Sequence, residues 1–376
     1  VAENVLLGLD GAPFWSRRAH IEGRARELAQ KFGIDLDVTR RVGSLPVGLQ
    51  QRVEILKCLA RDARLLVLDE PTAVLTPQEA QELGAVLRRL AESGRSVVFI
   101  SHKLPEVLAT CDRATVIRRG RNVATVDVAE ADVSTLTKMM VGESVAAGIN
   151  EIDVDREDAG ARAAVLTVDD LHVLDDRGLP AVRGVSLTVR VGEIYGVAGV
   201  DGNGQHELMD ALAGVRASTA GATSLDGRDI TRASTRARVQ MGLAVITDDR
   251  RLKGLSLALS VAENLVTKSY RARPVSRSGW LRPRVTARLA AAARDEYNIR
   301  VDDLDAPVSQ LSGGNQQKVV IAREMSLARS ALIAMSPTRG LDVAATAYVH
   351  RSLVRARDDG KAVLLISTDL DEILTL

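Results

Sequence analysis

One stretch of this chain is written twice. Residues 45–104 align without a gap on residues 311–370, at a constant separation of 266 positions from Leu45/Leu311 through Pro71/Pro337 to Leu104/Leu370. LPVGLQQRVEILKCLARDARLLVLDEPTAVLTP lies over LSGGNQQKVVIAREMSLARSALIAMSPTRGLDV, and VAENV at Val1 lies over VAENL at Val261. A unit of this length is a domain, not a solenoid repeat, so the chain is expected to hold two copies of one domain. Residues 1–141 form the first copy, 142–164 a polar, acidic linker rich in Ala and Gly, and 165–376 the second copy. Copy two carries a glycine loop well upstream of its VAEN, whose counterpart in copy one would precede Val1. Copy two also stops soon after Leu370, so the sequence reads as a piece cut at both ends.

Four motifs carry chemistry. In Leu311-Ser312-Gly313-Gly314-Asn315-Gln316-Gln317, a hydroxyl and two glycine N–H groups stand at the positive end of a helix, where a phosphate is well received. The alternative for SGG alone is an ordinary helix cap. Leu65–Leu68 read as a short apolar strand of the kind buried in a parallel sheet, ending in Asp69-Glu70-Pro71-Thr72. Two adjacent carboxylates at a strand's carboxyl end make a site for a metal and a general base. The next apolar strand, Ser96–Ile100, delivers Ser101-His102 at its end. Gly199-Val-Asp-Gly-Asn-Gly204 keeps the GxxxxG spacing of a phosphate loop between a strand and a helix. Its chemistry is defective, because Gln205 stands where a lysine belongs, His206 where a hydroxyl belongs, and Asp201 adds a carboxylate; the alternative is a tight turn without a ligand. In copy one, Pro46 and Val47 replace the serine and first glycine of the Ser312 run, removing the phosphate donor.

Composition narrows the classes. Fifty basic against 49 acidic residues leave a formal net charge of +1, which argues against nucleic acid as a partner. No apolar run approaches the roughly 20 residues of a spanning helix, so a membrane role is expected only through partners. Two Trp, four Tyr and three Phe leave the cores to Leu, Val, Ile and Ala. Ile21, Ala25, Leu28, Ala29 and Phe32 recur at helical spacing and make an apolar face. Cys58 and Cys111 show no metal spacing and read as small buried hydrophobes. Arg113–Val126, with Gly120, reads as a hairpin followed by a helix ending near Met140.

Taken together, the motifs resemble the ATP-binding-cassette (ABC) family, whose signature reads LSGGQ, over nearly the whole chain. The resemblance implies an α/β fold: two P-loop NTPase nucleotide-binding domains, each with a mixed or parallel sheet core and a helical subdomain that touches a membrane partner. It implies ATP and Mg²⁺ as cofactors. Asp69 would hold Mg²⁺ through water, Glu70 would orient and deprotonate the attacking water, and His102 would contact the γ-phosphate. Ser312, Gly313, Gly314 and Gln316 would bind ATP as the signature, with Asp342 in the D-loop. Gly199, Gly202, Asn203, Gly204, Gln205 and His206 would form a degenerate P-loop, and Gly48 and Gln50 belong to a degenerate signature. Asp248-Asp249-Arg250 occupy the Q-loop without a glutamine. Met335 and Ser336 replace the Walker B acids and Thr368 the switch histidine, so copy two has lost metal, base and sensor together. No aromatic residue stands out to stack on adenine; His172 is a candidate, with an ordinary strand residue as the alternative. ABC domains work as head-to-tail pairs. The intact halves would therefore meet in one hydrolytic site and the defective halves in one degenerate site.

Tandem cassettes with a crippled second half resemble the ATP-binding subunits of bacterial monosaccharide importers. The strings LPVGLQQRVEILK, DEPTAVLTPQE and GVAGVDGNGQ are similar to the nucleoside or simple-sugar importers that use lipoprotein binding partners. The implied partners are transmembrane permease subunits and an extracytoplasmic substrate-binding lipoprotein, and the implied place is the cytoplasmic face of the membrane. Without the first P-loop, residues 1–376 alone are expected to turn over little ATP. A soluble tandem ABC ATPase acting on ribosomes or DNA is the rival, and is expected to keep lysine and Walker B acids in both copies. A nucleotide sensor would have no use for Asp69, Glu70 and His102.

Overall fold

Parallel strands carried by helical crossovers dominate the computed structural model, which describes residues 1–7, 18–45, 47–72, 75, 77–118, 120–141, 162–200 and 202–376. The chain divides into two units, Val1–Ala146 and Ala147–Leu376. Most of the expected linker, and Pro46, Thr76 and Asp201, lie outside the described residues.

The first unit runs α1 (Ala2–Leu6), α2 (Arg18–Lys31), α3 (Val47–Ala60), β1 (Leu65–Asp69), α4 (Pro77–Glu92), β2 (Ser96–Ile100), α5 (Leu104–Thr110), β3 (Arg113–Arg118), β4 (Arg121–Asp127) and α6 (Val133–Val141). The apolar stripe of α2 is seated as expected, with Ala25 and Ala29 buried and Ile21, Leu28 and Phe32 packed beside them. Helix α3 buries Val53, Ile55, Leu56 and Leu59 against the same core. Strands β1 and β2 pair in parallel, Leu65 with Ser96 through Asp69 with Ile100. Strands β3 and β4 form the expected hairpin, and Leu136 of α6 packs with Val116 and Leu104 beneath it.

Two expectations about the first unit need correction. Strands β1 and β2 are buried on one face only: Leu65, Val67, Val98 and Ile100 are 56%, 61%, 46% and 48% exposed. Their equivalents 266 positions on, Ala331, Ile333, Leu364 and Ile366, are at most 1% exposed, covered by a layer that has no counterpart among the described residues of the first unit. The cysteines are not buried either. Cys58 is exposed and Cys111 is half-buried. Cys58 lies with Glu54 on the outward line of α3, away from the Val53, Leu56 and Leu59 face.

The second unit contains β5 (Ala164–Leu174), β6 (Pro180–Arg190), β7 (Ile194–Ala198), α7 (Gln205–Ala213), β8 (Ala220–Leu225), β9 (Arg228–Asp229), α8 (Thr235–Met241), β10 (Leu243–Ile246), α9 (Val261–Val266), β11 (Ser276–Arg277), β12 (Trp280–Leu281), α10 (Pro283–Glu296), α11 (Gly313–Leu327), β13 (Ala331–Met335), α12 (Val343–Asp358), β14 (Ala362–Ser367) and α13 (Leu370–Thr375). Its core is a parallel sheet in the order β10-β13-β14-β7, and β13 and β14 are buried along their whole length, as their unbroken apolar runs ALIAM and AVLLIS require. An antiparallel sheet, β6-β5-β8-β9, and helix α7 cover one face of it. Helices α9 to α12 pack on the other face. At the buried end of α11, Glu324 receives Lys268 and Arg323, both at 2.8 Å, so its charge is matched where water is excluded.

The long strand β5 bends at Asp170, whose φ is +44°, and β8 crosses that bend at Gly221. A Cβ on Gly221 would sit 2.3 Å from the Asp170 carbonyl oxygen, at a φ of +85° that disfavours any side chain. Gly221→Ala is expected to lower unfolding stability by about 2 kcal/mol or more, read as a lower urea midpoint at unchanged slope.

Candidate functional site

The parallel register of β1 and β2 brings Asp69 level with Ile100, so the residues after both strands emerge at one edge. Glu70 turns there with φ at +44°, its N–H donating to the Ile100 carbonyl at 2.9 Å. Its carboxylate Oε1 lies 2.9 Å from His102 Nδ1, and both side chains are partly open to solvent. The Asp69 side chain is exposed and makes no ion pair among the described residues. Thr72 donates its hydroxyl to Glu106 on α5, and Lys103 Nζ reaches the Thr72 carbonyl at 3.4 Å. These contacts tie the loop that carries Glu70 to the helix that follows His102.

The second unit repeats this scaffold without its chemistry. Ser336 takes the place of Glu70 with φ at +38°, donating its N–H to the Ile366 carbonyl at 2.7 Å. Thr338 donates to Glu372 at 2.8 Å, as Thr72 does to Glu106. Met335 and Thr368 stand where Asp69 and His102 stand, so the strand ends keep their geometry while losing both carboxylates and the imidazole.

The signature run forms the start of α11. Ser312 is the N-cap, and its hydroxyl makes no bond to the helix backbone; it accepts from Asn315 Nδ2 at 3.1 Å, which leaves its proton to donate. Gly313 lies against the Arg250 guanidinium: a Cβ there would lie 2.7 Å from Arg250 Nη2, so a side chain would push Arg250 aside. Arg250 donates to the carbonyls of Arg339 at 3.0 Å and Gly340 at 3.5 Å, joining the signature end of α11 to the loop before α12. Burial pushes the Arg250 pKa down from its ordinary value. Gln316, expected in the phosphate-facing set, is turned inward: it is buried and donates to the Val308 carbonyl at 3.3 Å. Asp342 caps α12, accepting from the Ala345 N–H at 2.8 Å.

The glycine loop closes on its own side chain. Gln205 is buried; its Oε1 accepts from the Asn203 N–H at 3.0 Å and its Nε2 donates to the Val200 carbonyl at 2.8 Å. A Cβ on Gly199 would displace that Nε2, 2.4 Å away, and one on Gly204 would sit 2.4 Å from the Ala181 carbonyl at a φ of +92°, so Gly204 is dictated by close approach to backbone. Gly202, with φ at +88°, completes the turn. His206 Nδ1, Lys253 Nζ and Arg339 Nη1 surround the buried Asp248 carboxylate at 3.8, 3.9 and 3.8 Å, too far for direct hydrogen bonds. In the first unit, Gly48 packs tightly, with a Cβ position 2.9 Å from Glu79 Oε1, and Gln50 bonds the Leu45 carbonyl at 2.8 Å. His172 pairs with Asp170 at 3.1 Å on β5.

Sequence reasoning missed Arg250 as a clamp and Gln205 as a plug. Arg250 lies in a string whose neighbours in space cannot be counted along the chain. Gln205 carried a signal in its amide, which can donate and accept at once where a lysine only donates.

The geometry above is that of an ATP-binding cassette, and comparison with known proteins agrees. The family model for ABC transporter matches residues 1–73 and 182–339. The chain belongs to the ABC transporter family, whose ATP-binding components bind and hydrolyse ATP on behalf of membrane-embedded permease partners. It is 41% identical over 379 residues to the nucleoside import ATP-binding protein NupA of Lactococcus lactis subsp. cremoris, spanning all of this chain and 74% of that one. It is 40% identical to the guanosine import ATP-binding protein NupO of Bacillus subtilis, over all of this chain and 73% of the relative. It is 44% identical to the glucose import ATP-binding protein TsgD13 of Haloferax volcanii, over 94% of this chain and 64% of the relative. These relatives do not favour the ribosome- or DNA-directed alternative. Among the described residues no helix is long and apolar enough to cross a membrane.

Gln205→Ala leaves the Asn203 N–H and the Val200 carbonyl without partners. It is expected to cost about 1–3 kcal/mol, measured by chemical denaturation of the second unit's transition.

Proposed function

We propose that this chain powers import of a nucleoside or simple sugar, acting at the cytoplasmic face of the membrane with a permease and an extracytoplasmic substrate-binding lipoprotein. The observation that carries the hydrolytic reading is the Glu70–His102 pair at 2.9 Å, held at the carboxyl ends of two parallel strands. Glu70 accepts the proton of the attacking water, and His102, placed by Glu70, turns its other ring nitrogen toward the γ-phosphate. The exposed Asp69 carboxylate, which makes no ion pair among the described residues, fits a water-coordinated Mg²⁺, an ion that is commonly held by one carboxylate together with phosphates. Bound there, Mg²⁺ supplies neutralisation of phosphate charge. Ser312 Oγ–H and the Gly313 and Gly314 amides donate to phosphate oxygens at the positive end of α11.

The second unit's own loop takes no part in hydrolysis, since Gln205, Met335, Ser336 and Thr368 supply neither cation, metal ligand, base nor sensor. A nucleoside cargo is supported by the names of the relatives from L. lactis and B. subtilis, and a sugar by that of the relative from H. volcanii.

Glu70→Gln in the full-length subunit is expected to keep ATP binding and to lower turnover by at least about 100-fold; steady-state ATPase assays beside nucleotide binding check this, and undiminished turnover would remove Glu70 as the base. Deleting the gene is expected to abolish uptake of labelled ribonucleoside while sparing ribose and glucose. Loss of a sugar alone would move the cargo to that class.

A further inference from the structure

Strands β11 and β12 form a two-residue hairpin whose tip stands in open space. Ser276 pairs with Leu281 and Arg277 with Trp280; Ser278 and Gly279 turn between them with φ at +52° and +85°, the pattern of a tight turn matched to strand twist. No atom would lie within 4 Å of a Cβ on Gly279. Val275 and Ser276, 2% and 7% exposed, anchor the base. Beyond that base the apolar groups point to solvent: Trp280 is 81% exposed, Leu281 56% and Tyr270 43%.

The charge along the chain through this tip has one sign. Residues 268–288 contain Lys268 and six arginines, Arg271, Arg273, Arg277, Arg282, Arg284 and Arg288, and no Asp or Glu, in a chain whose formal net charge is only +1. Lys268 is used by the buried Glu324. The six arginines are all exposed, and none makes an ion pair among the described residues; Arg271 stacks on Tyr270 at 5.2 Å. An exposed Trp beside Leu, fringed by uncompensated arginines, is the composition that settles in a headgroup layer, where the indole sits between water and acyl chain and the arginines meet lipid phosphates.

We propose that the β11–β12 hairpin and its arginine fringe rest on the anionic surface of the membrane, a lipid contact made by this chain in addition to its permease partner. Charge complementarity names the occupant: six arginines without an ion pair among the described residues ask for a dense field of negative charge, and the projecting tip offers a wedge and not a groove for a protein segment. Each basic residue at an anionic surface raises partitioning by roughly fivefold.

The test is vesicle co-sedimentation of the full-length subunit. It is expected to bind vesicles of phosphatidylcholine containing about 30% phosphatidylglycerol, to ignore phosphatidylcholine alone, and to release at about 1 M NaCl, where the screening length falls to about 3 Å. An Arg277→Glu/Arg282→Glu double variant is expected to lose at least about 25-fold in partitioning, and Trp280→Ala several-fold, with basal ATP turnover unchanged. Equal binding to neutral and anionic vesicles, or salt-insensitive binding, overturns the proposal from the wild-type protein alone. So does a double variant that binds vesicles normally but no longer co-purifies with the permease, which would assign the fringe to a protein surface.

Discussion

The Glu70 backbone N–H donates to the Ile100 carbonyl, and this single bond closes the end of one parallel strand over the next. It forces a left-handed turn on a residue with a side chain, a strain that persists only where the surroundings over-determine it. The surroundings here are the β1–β2 register below and the Thr72–Glu106 bond above. Together they hold the Glu70 carboxylate beside His102, at 2.9 Å from its Nδ1. Because Ser336 holds the same turn in the second unit with no carboxylate to position, the strain belongs to the strand-end architecture and not to the side chain it carries.

The two units show what such a scaffold preserves when chemistry is withdrawn. The backbone bond, the left-handed residue and the Thr–Glu tie recur, because each satisfies a polar group at the end of a sheet that would otherwise be left unpaired. The two carboxylates and the imidazole do not recur. At the glycine loop the loss is filled from within, with the Gln205 amide taking one donor and one acceptor of the loop's own backbone.

Much of this was legible along the chain because it depends on order and period. The repeat separation, the apolar runs of β13 and β14 and the stripe of α2 each follow from rules that act within one element. The Asp69-Glu70 and His102 placements followed from two strands ending at one edge. What escaped depended on neighbours brought from afar. Gln316 has the residue type of a ligand contact, yet its helix phase turns it toward Val308. Cys58 has the composition of a core residue and lies on the wet line of α3, while the apolar faces of β1 and β2 are exposed because burial depends on a covering layer and not on the strand's own letters. Arg250 joins the start of α11 to the loop before α12, a contact with no trace in local spacing.

The self-closed glycine loop gives the second unit an unusual independence. A loop held open for phosphate is stabilised by mass action, so its population of ordered states follows the nucleotide concentration around it. A loop filled by Gln205 carries its occupant covalently, at an effective concentration that no metabolic state can dilute. Both bonds form with the fold itself, so the Asn203 N–H and the Val200 carbonyl are satisfied by a side chain of their own loop.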